Sequence, residues 1–123
     1  RLLRDVFSNS EIMDDKQKDA ETLFINEFRK QIQAQMSDSE LNVETLSADM
    51  GLSRVQLYRK VKALTGSSPV ELIRITRLKR AERLLKSDSK TIAEISYEVG
   101  FSSPSYFSKC YKEYFGVLPG EVK

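Results

Sequence analysis

A chain of 123 residues, 40% of them hydrophobic, can form two small compact cores but not one large core. One cysteine and no histidine exclude disulfide frameworks, His- or Cys-rich metal sites and imidazole catalysis, so we expect no metal, no cofactor and no enzyme activity. The net charge of +2 is unevenly distributed, because residues 42–123 carry 14 Lys/Arg against 9 Asp/Glu. This basic excess is typical of a surface that binds phosphate groups.

Residues 1–19 are interpreted as a linker or as the tail of a preceding domain. Their apolar start, formed by Leu2, Leu3, Val6 and Phe7, could instead pack on the domain or on a partner chain. The sequence has no apolar run of about 18 residues and no signal-peptide pattern. Its first residue is Arg rather than Met. We therefore expect a cytoplasmic domain cut from a longer protein.

The segment from Ala20 to Met36 has the spacing of an amphipathic helix. Phe24, Phe28 and Ile32 recur at steps of four residues and place one apolar face on the helix. This helix is predicted to support the unit that follows it.

Two helices joined by a tight turn are predicted for the next stretch, up to residue 68. Asn42 can cap the first helix, Gly51 tolerates the positive φ that a tight turn requires, and Ser53 can cap the second helix. The buried stripe of the second helix recurs at i, i+4 and i+7 and consists of Leu57, Val61 and Leu64. The first unit is therefore assigned to residues 20–68.

A long helix is predicted for residues 69–86, because Ser68 can cap it and Pro69 suits its first position. About 18 residues at 1.5 Å each make it about 27 Å long. Two helices attached to its ends could therefore lie about one turn of DNA, roughly 34 Å, apart. Its basic side chains are interpreted mainly as a solvated face, from which one or two could reach phosphate.

The second unit, residues 90–119, repeats the same order of signals: an N-cap, a glycine at the turn, a buried stripe and a glycine after the second helix. Thr91 and Glu94 form a capping box, Gly100 marks the turn, and Ser103 with Pro104 begins the second helix. The predicted buried stripe of that helix consists of Phe107, Tyr111 and Tyr114.

The two units align with a single shift. Gly51 matches Gly100 at a spacing of 49 residues, whereas Gly66 matches Gly116 at a spacing of 50, so the second turn holds one extra residue. Two helices around a short glycine-containing turn, with a basic outer face on the second helix, indicate a helix-turn-helix. The repeat predicts two such units.

At these residues the chain resembles the DNA-binding domains of AraC/XylS-type transcriptional regulators, from roughly Glu21 to the C-terminus. The family-like residues of the second half are Arg77, Leu78, Ala81, Leu84, Leu85, Ile92, Ile95, Val99, Gly100, Phe101, Ser102, Tyr106, Phe107, Ser108, Phe115, Gly116 and Pro119. The sequence SRVQLYRKVKALTG in the first unit looks most like the C-terminal output domain of a hybrid two-component system regulator. The resemblance implies an all-α, seven-helix domain with two helix-turn-helix subdomains joined by a long linker helix.

The candidate DNA contacts lie on the outer face of the second helix in each unit. Arg59 can pair bidentately with guanine, Tyr58 can contact a base edge, a thymine methyl or a phosphate, and Val55 adds an apolar contact. The second unit presents shorter and less charged side chains, so we expect it to depend more on backbone contacts and DNA shape. The full candidate set is Arg54, Val55, Tyr58, Arg59, Lys62, Ser103, Ser105, Ser108, Lys109 and Lys112.

Three of these side chains also have a simpler interpretation. Arg59 and Lys62 could be merely solvated, and helix capping explains Ser103 without DNA. Lys109 stands where the family often has Arg.

We expect sequence-specific binding to double-stranded promoter DNA, at two successive major-groove segments, as the output domain of a transcription regulator. RNA polymerase is an expected further partner. The isolated domain is expected to be a monomer, and the full-length protein could be a dimer. The alternative is a helical protein-interaction module whose basic face binds an acidic protein surface. DNA binding would fall steeply with salt and would prefer one sequence, which distinguishes the two.

Overall fold

The computed structural model describes residues 15–87 and 89–123, so the apolar start of the chain lies outside the described residues. The described part forms seven α-helices and no strand, which confirms the all-α, seven-helix prediction. The helices are α1 Asp15–Gln35, α2 Val43–Asp49, α3 Arg54–Thr65, α4 Pro69–Ser87, α5 Ile92–Glu98, α6 Pro104–Phe115 and α7 Pro119–Val122.

Helix α1 begins at Asp15, inside the segment that the sequence predicted to be a linker. The stretch from Asp15 to Ala20 contains no glycine or proline, and its Lys, Gln and Ala residues favour helix. The prediction relied on apolar periodicity, which starts only at Phe24. The structure thus places residues 15–19 in α1.

The chain divides into two compact units. Of the described residues, the first unit contains those from Asp15 to Ala34 together with Asn42–Leu72, and the second contains Gln35–Leu41 and those from Ile73 to Lys123. The division falls within α4, whose 19 residues run without a break. The helix predicted to join the units therefore contributes residues to both of them.

The core of the first unit combines one face of α1 with one face of α3. Phe28 and Ile32, four residues apart on α1, are fully buried, as the periodicity predicted. The predicted stripe of α3 is also buried, because Leu57 and Val61 are inaccessible and Leu64 is 8% exposed. Burying each of these side chains contributes roughly 1.5–3 kcal/mol, so truncating any of them is costly.

An aromatic cluster fills the core of the second unit. Phe107 and Tyr111 are fully buried on α6 with their ring centroids 5.8 Å apart, and Phe101 meets Phe107 edge-on at 5.2 Å. The other buried members of this core are Leu78, Ala81, Leu85, Ile95, Val99 and Cys110.

Tyr114 is not buried beside Phe107 and Tyr111, contrary to the prediction, because its side chain is 44% exposed. Phe115 takes that place: its ring centroid lies 4.5 Å from that of Tyr111, and it packs against the core. Tyr114 meets Phe115 edge-on at 4.8 Å. Phe115 has no polar group to satisfy, whereas Tyr114 at the rim can keep its hydroxyl in water.

Each helix-turn-helix turn is a Schellman motif, in which a glycine adopts positive φ and two N–H groups bond back to the preceding helix. The bonds are Gly51 to Ala48 (3.0 Å) and Leu52 to Ser47 (2.8 Å) in the first unit, and Gly100 to Tyr97 (3.0 Å) and Phe101 to Ser96 (2.9 Å) in the second. Helix α3 begins five residues after Asp49 and α6 begins six residues after Glu98. This confirms the extra residue predicted for the second turn.

Candidate nucleic-acid interface

Helices α3 and α6 are built alike. Each has 12 residues, each follows a serine whose hydroxyl accepts an N–H bond, and each ends at a glycine in the left-handed conformation. Because α3 begins at Arg54 and α6 at Pro104, every position of α3 corresponds to the position 50 residues later in α6. Positions 55, 58, 59 and 62 therefore correspond to positions 105, 108, 109 and 112.

The outer face of α3 presents four of the side chains predicted to contact DNA. Val55 is 56% exposed and Tyr58 is 48% exposed, and Arg59 and Lys62 are exposed as well. At 100° per residue these four lie within about 100° of the helix circumference, away from the buried Leu57. Helix α3 contains no acidic residue. The arrangement joins an apolar contact, a phenol and two cations on one narrow surface.

Arg54, the first residue of α3, differs from its neighbours because an acidic side chain lies near it. Its Nη1 is 3.9 Å from Oε2 of Glu44 on α2, and both side chains are mostly exposed. An exposed pair at this distance is worth at most about 1 kcal/mol and is screened by salt. Arg54 can therefore exchange Glu44 for a phosphate at little cost.

The corresponding face of α6 is smaller and only partly accessible. Ser105, Lys109 and Lys112 are exposed, whereas Ser103 and Ser108 are half-buried. The Ser103 hydroxyl accepts the Tyr106 N–H over 3.2 Å, so that oxygen serves as the N-cap of α6. Of the second-unit candidates, the structure brings Ser105, Lys109 and Lys112 together at the surface.

Lys60 and Tyr106 are side chains on these two helices that the sequence analysis did not select. The Lys60 ammonium lies 5.1 Å from the ring centroid of Phe24 on α1, a cation–π contact that directs it away from the outer face. Tyr106 is 51% exposed. Its pKa is raised, first by a hydrogen bond with the Cys110 side chain, and Arg74 opposes the shift. The sequence analysis named Tyr106 only as a residue that resembles the family, not as a candidate DNA contact.

Arg77 on α4 also has a role that the sequence did not reveal. Its Nε donates to the carbonyl oxygen of Met36 over 3.0 Å, and its Nη2 donates to that of Asp38 over 2.8 Å. The side chain is half-buried, and this burial lowers the pKa of Arg77, which the Asp38 carboxylate partly opposes. Arg77 is therefore bonded to the backbone of the second unit and is not a freely solvated side chain. Periodicity cannot pair residues about forty positions apart.

Over residues 15–87 and 89–123, no group of three or more His, Cys, Asp or Glu side chains is arranged to hold a metal ion. No helix in the same ranges has the length and apolar character needed to span a membrane. The Cys110 thiol is free and buried.

Residues 46–123 match a family described as "Helix-turn-helix domain". A curated protein named histidine kinase P4, from Formosa agariphila, is 41% identical to the chain over 94 residues. The match covers 76% of this chain but only 7% of that protein, so the chain spans a small part of the relative's length.

Two solved structures are similar to the described fold. An AraC-type DNA-binding domain-containing transcriptional regulator from Chromobacterium violaceum has a TM-score of 0.78 and 31% identity, over 85% of this chain and 92% of that chain. The DNA-binding domain of the global transcriptional factor AdpA, solved in complex with a target DNA, has a TM-score of 0.73 and 27% identity, over 78% of this chain and 86% of that chain.

Proposed function

The chain belongs to the AraC-type helix-turn-helix DNA-binding domains of transcriptional regulators, and on that premise we propose that its two units read two successive major-groove segments of one promoter site. Domains of this family bind DNA and are not enzymes. The observation that carries the proposal is the equivalence of α3 and α6, which have the same length and the same termini and present corresponding outer faces.

The length of α4 supports a two-part site. Its 19 residues at 1.5 Å per residue extend over about 28 Å. Successive major-groove segments on one side of DNA recur at about 34 Å. A continuous helix of this length suits a domain in which each unit serves one segment.

In the first unit the proposed base contacts are Arg59 and Tyr58, since both project from the exposed face of α3. Arg59 pairs bidentately with guanine O6 and N7. Tyr58 reaches a base edge or a thymine methyl, and Val55 adds an apolar contact. Arg54 and Lys62 are assigned to phosphates, where a point charge serves without regard to sequence.

In the second unit the proposed contacts depend less on side chains. Lys109 corresponds to Arg59 but lacks the planar fork that pairs with guanine. Ser105 and Ser108 are short, and Ser103 is assigned a contact through the backbone at the start of α6, because its hydroxyl already caps that helix. Lys112 is assigned to phosphate. This unit therefore relies more on DNA shape than on base edges.

The chain's place in a longer protein is part of the proposal. Its similarity to a segment of histidine kinase P4 supports an output domain of a hybrid two-component system regulator. Such a domain acts on promoter DNA in the cytoplasm, with RNA polymerase as its further partner. The isolated domain is proposed to be a monomer, with the two units supplying what two subunits supply in a dimeric helix-turn-helix protein.

Selection of bound sequences from a random double-stranded DNA pool tests the proposal directly. We expect two short conserved blocks of unequal strength, with centres about 10 bp apart. Selection of one contiguous block would contradict the two-segment reading.

A titration against salt separates DNA reading from the alternative of a protein-interaction module. The affinity for the selected site should fall log-linearly with salt concentration and stay well above the affinity for random DNA. Binding without sequence preference would instead favour a basic face that serves an acidic protein surface.

A further inference from the structure

The backbone that Arg77 binds is the end of α1. Helix α1 stops at Gln35 and has no basic residue in its last turn, although a helix C-terminus favours positive charge. Met36 and Asp38, whose carbonyl oxygens accept the two Arg77 bonds, follow directly. Arg77 supplies from α4 the positive charge and the two donors that α1 itself lacks.

The same guanidinium lies against the turn of the second helix-turn-helix. A Cβ built on Gly100 would overlap the Met36 carbonyl oxygen and would lie 2.7 Å from the Arg77 Nε. The Gly100 backbone is therefore in direct contact with the pair that Arg77 and Met36 form. All of these residues belong to the second unit.

The turn of the first unit has no such support. A Cβ built on Gly51 meets no heavy atom within 4 Å, although Gly51 also has positive φ. Both turns have the same Schellman hydrogen bonds, so this local pattern does not require the contact. The arrangement around Gly100 is specific to the second unit.

The position of this turn determines where α6 starts. Helix α6 begins at Pro104, and its first exposed candidate contact is Ser105, with Lys109 one turn later. A binding site works only when its side chains are held within about 0.5 Å of the productive geometry. Support at Gly100 therefore matters for the direction of these side chains.

We propose that Arg77 is a positioning residue for DNA reading by the second unit, because it holds the Met36 carbonyl against Gly100 and so fixes the turn from which α6 projects. This inference rests on the proposed two-segment function. Arg77 itself contacts neither bases nor phosphates in this account.

The experiment compares the wild-type domain with Arg77→Met, which keeps an unbranched side chain but removes every donor. Arg77→Lys keeps the charge and one donor group, and Lys79→Met removes one exposed charge from the same helix as a matched control. Each protein is titrated with the selected site, with the site after scrambling the first block, and with the site after scrambling the second block. Melting curves establish that each variant is folded.

For Arg77→Met we expect the penalty for scrambling the second unit's block to fall about tenfold, while the penalty for the first block changes by less than about twofold. In Arg77→Lys the penalty for scrambling the second unit's block should lie between the wild-type and Arg77→Met values. Lys79→Met should retain both penalties. The slope of log affinity against log salt should stay unchanged in Arg77→Met, whereas loss of a phosphate contact would reduce it by about 0.9.

Retention of both penalties in folded Arg77→Met would overturn the inference, as would an equal loss at both blocks or a reduced salt slope. If Arg77→Met does not fold, Arg77→Lys decides, since a smaller but equally selective loss is expected there and an unselective one overturns the inference. Failure of the proposed function would be recognised by a different result. In that case the wild-type domain itself would select only one block from the random DNA pool.

Discussion

Gly51 and Gly100 occupy the same position of the same turn motif, but only Gly100 is enclosed by other atoms. The φ angles are +70° and +104°, both unfavourable for a residue with a Cβ. Around Gly51 there is open space, whereas Gly100 lies against the Met36 carbonyl and Arg77. At Gly51 only the backbone conformation requires a glycine. At Gly100 both the backbone conformation and the neighbouring atoms require one.

Substitution of the two glycines should therefore have unequal effects. Gly51→Ala should lower the free energy of unfolding by roughly 1–2 kcal/mol, the cost of the left-handed conformation alone. Gly100→Ala should cost more than about 4 kcal/mol or abolish folding of the second unit, because backbone and a half-buried guanidinium would have to move. Urea titrations of both variants measure the difference. Equal costs would show that the enclosure of Gly100 relaxes easily.

Truncation of the buried faces of α3 and α6 should be costly in both units. Leu57→Ala and Phe107→Ala each remove a fully buried side chain, so we expect losses of roughly 2–5 kcal/mol in urea melts. Leu23→Ala is the control, because Leu23 is 69% exposed and its truncation should change stability by less than about 0.5 kcal/mol. A neutral result at Leu57 or Phe107 would mean that the helix is rotated from the face described.

The hydroxyl of Tyr111 is buried, and no hydrogen-bond partner for it lies among the described residues. Removing such a group avoids its desolvation cost, so Tyr111→Phe should leave stability unchanged or raise it by about 1 kcal/mol. A loss above about 1 kcal/mol would indicate that the hydroxyl is satisfied. Circular-dichroism melts at neutral pH are sufficient for this comparison.

Tyr111 should also make the domain sensitive to alkali. Burial raises the pKa of Tyr111, and the nearby Glu82 carboxylate adds to the shift. The folded chain then holds a proton that the unfolded chain loses at about pH 10, so the free energy of unfolding falls as the pH rises above that value. Between pH 8 and pH 11, Tyr111→Phe should lose less stability than wild type. An identical loss would assign the alkaline effect to other groups.

The two units should respond differently to loss of a cation from their outer faces. Arg59→Ala should relax base preference in one block only and cost about 1–3 kcal/mol of binding, whereas Lys112→Ala should weaken all sequences alike and lower the salt slope by about one. Lys30→Ala, on the exposed side of α1, is the charge-matched control and should do neither. If Arg59→Ala selects the wild-type sequence from a random pool, α3 does not read bases through Arg59.

The order of helices was predictable because caps, turns and stripes are local signals. Ser53 and Thr91 cap the helices for which the sequence analysis predicted them, each through a backbone N–H three residues later. The exposure of Tyr58 and Arg59 followed from the burial of Leu57 by helix geometry alone. Prediction failed where aromatic residues compete for one site, as Tyr114 and Phe115 do, since periodicity does not rank adjacent side chains.

The hydrogen bond from Arg77 to Met36 could not be predicted from the sequence, for a different reason. The two residues are 41 positions apart, and a carbonyl oxygen carries no residue identity that a pattern could detect. Only the folded structure shows that Arg77 on α4 binds the carbonyl oxygens that follow α1. The Gly100 enclosure was hidden in the same way, because its turn resembles that of Gly51 in sequence.

The segment Gln35–Leu41 belongs to the second unit, yet the chain must complete Asn42–Leu72 of the first unit before it returns to Ile73. Closing Met36 onto Arg77 in an unstructured chain ties off a loop of about 41 residues, at an entropic cost near 3 kcal/mol. Helices α2 and α3, once folded, shorten that loop and reduce the cost. The second unit is therefore expected to assemble after the first, in the order in which a ribosome delivers them, and a fragment that starts at Pro69 would leave the Arg77 donors without their acceptors.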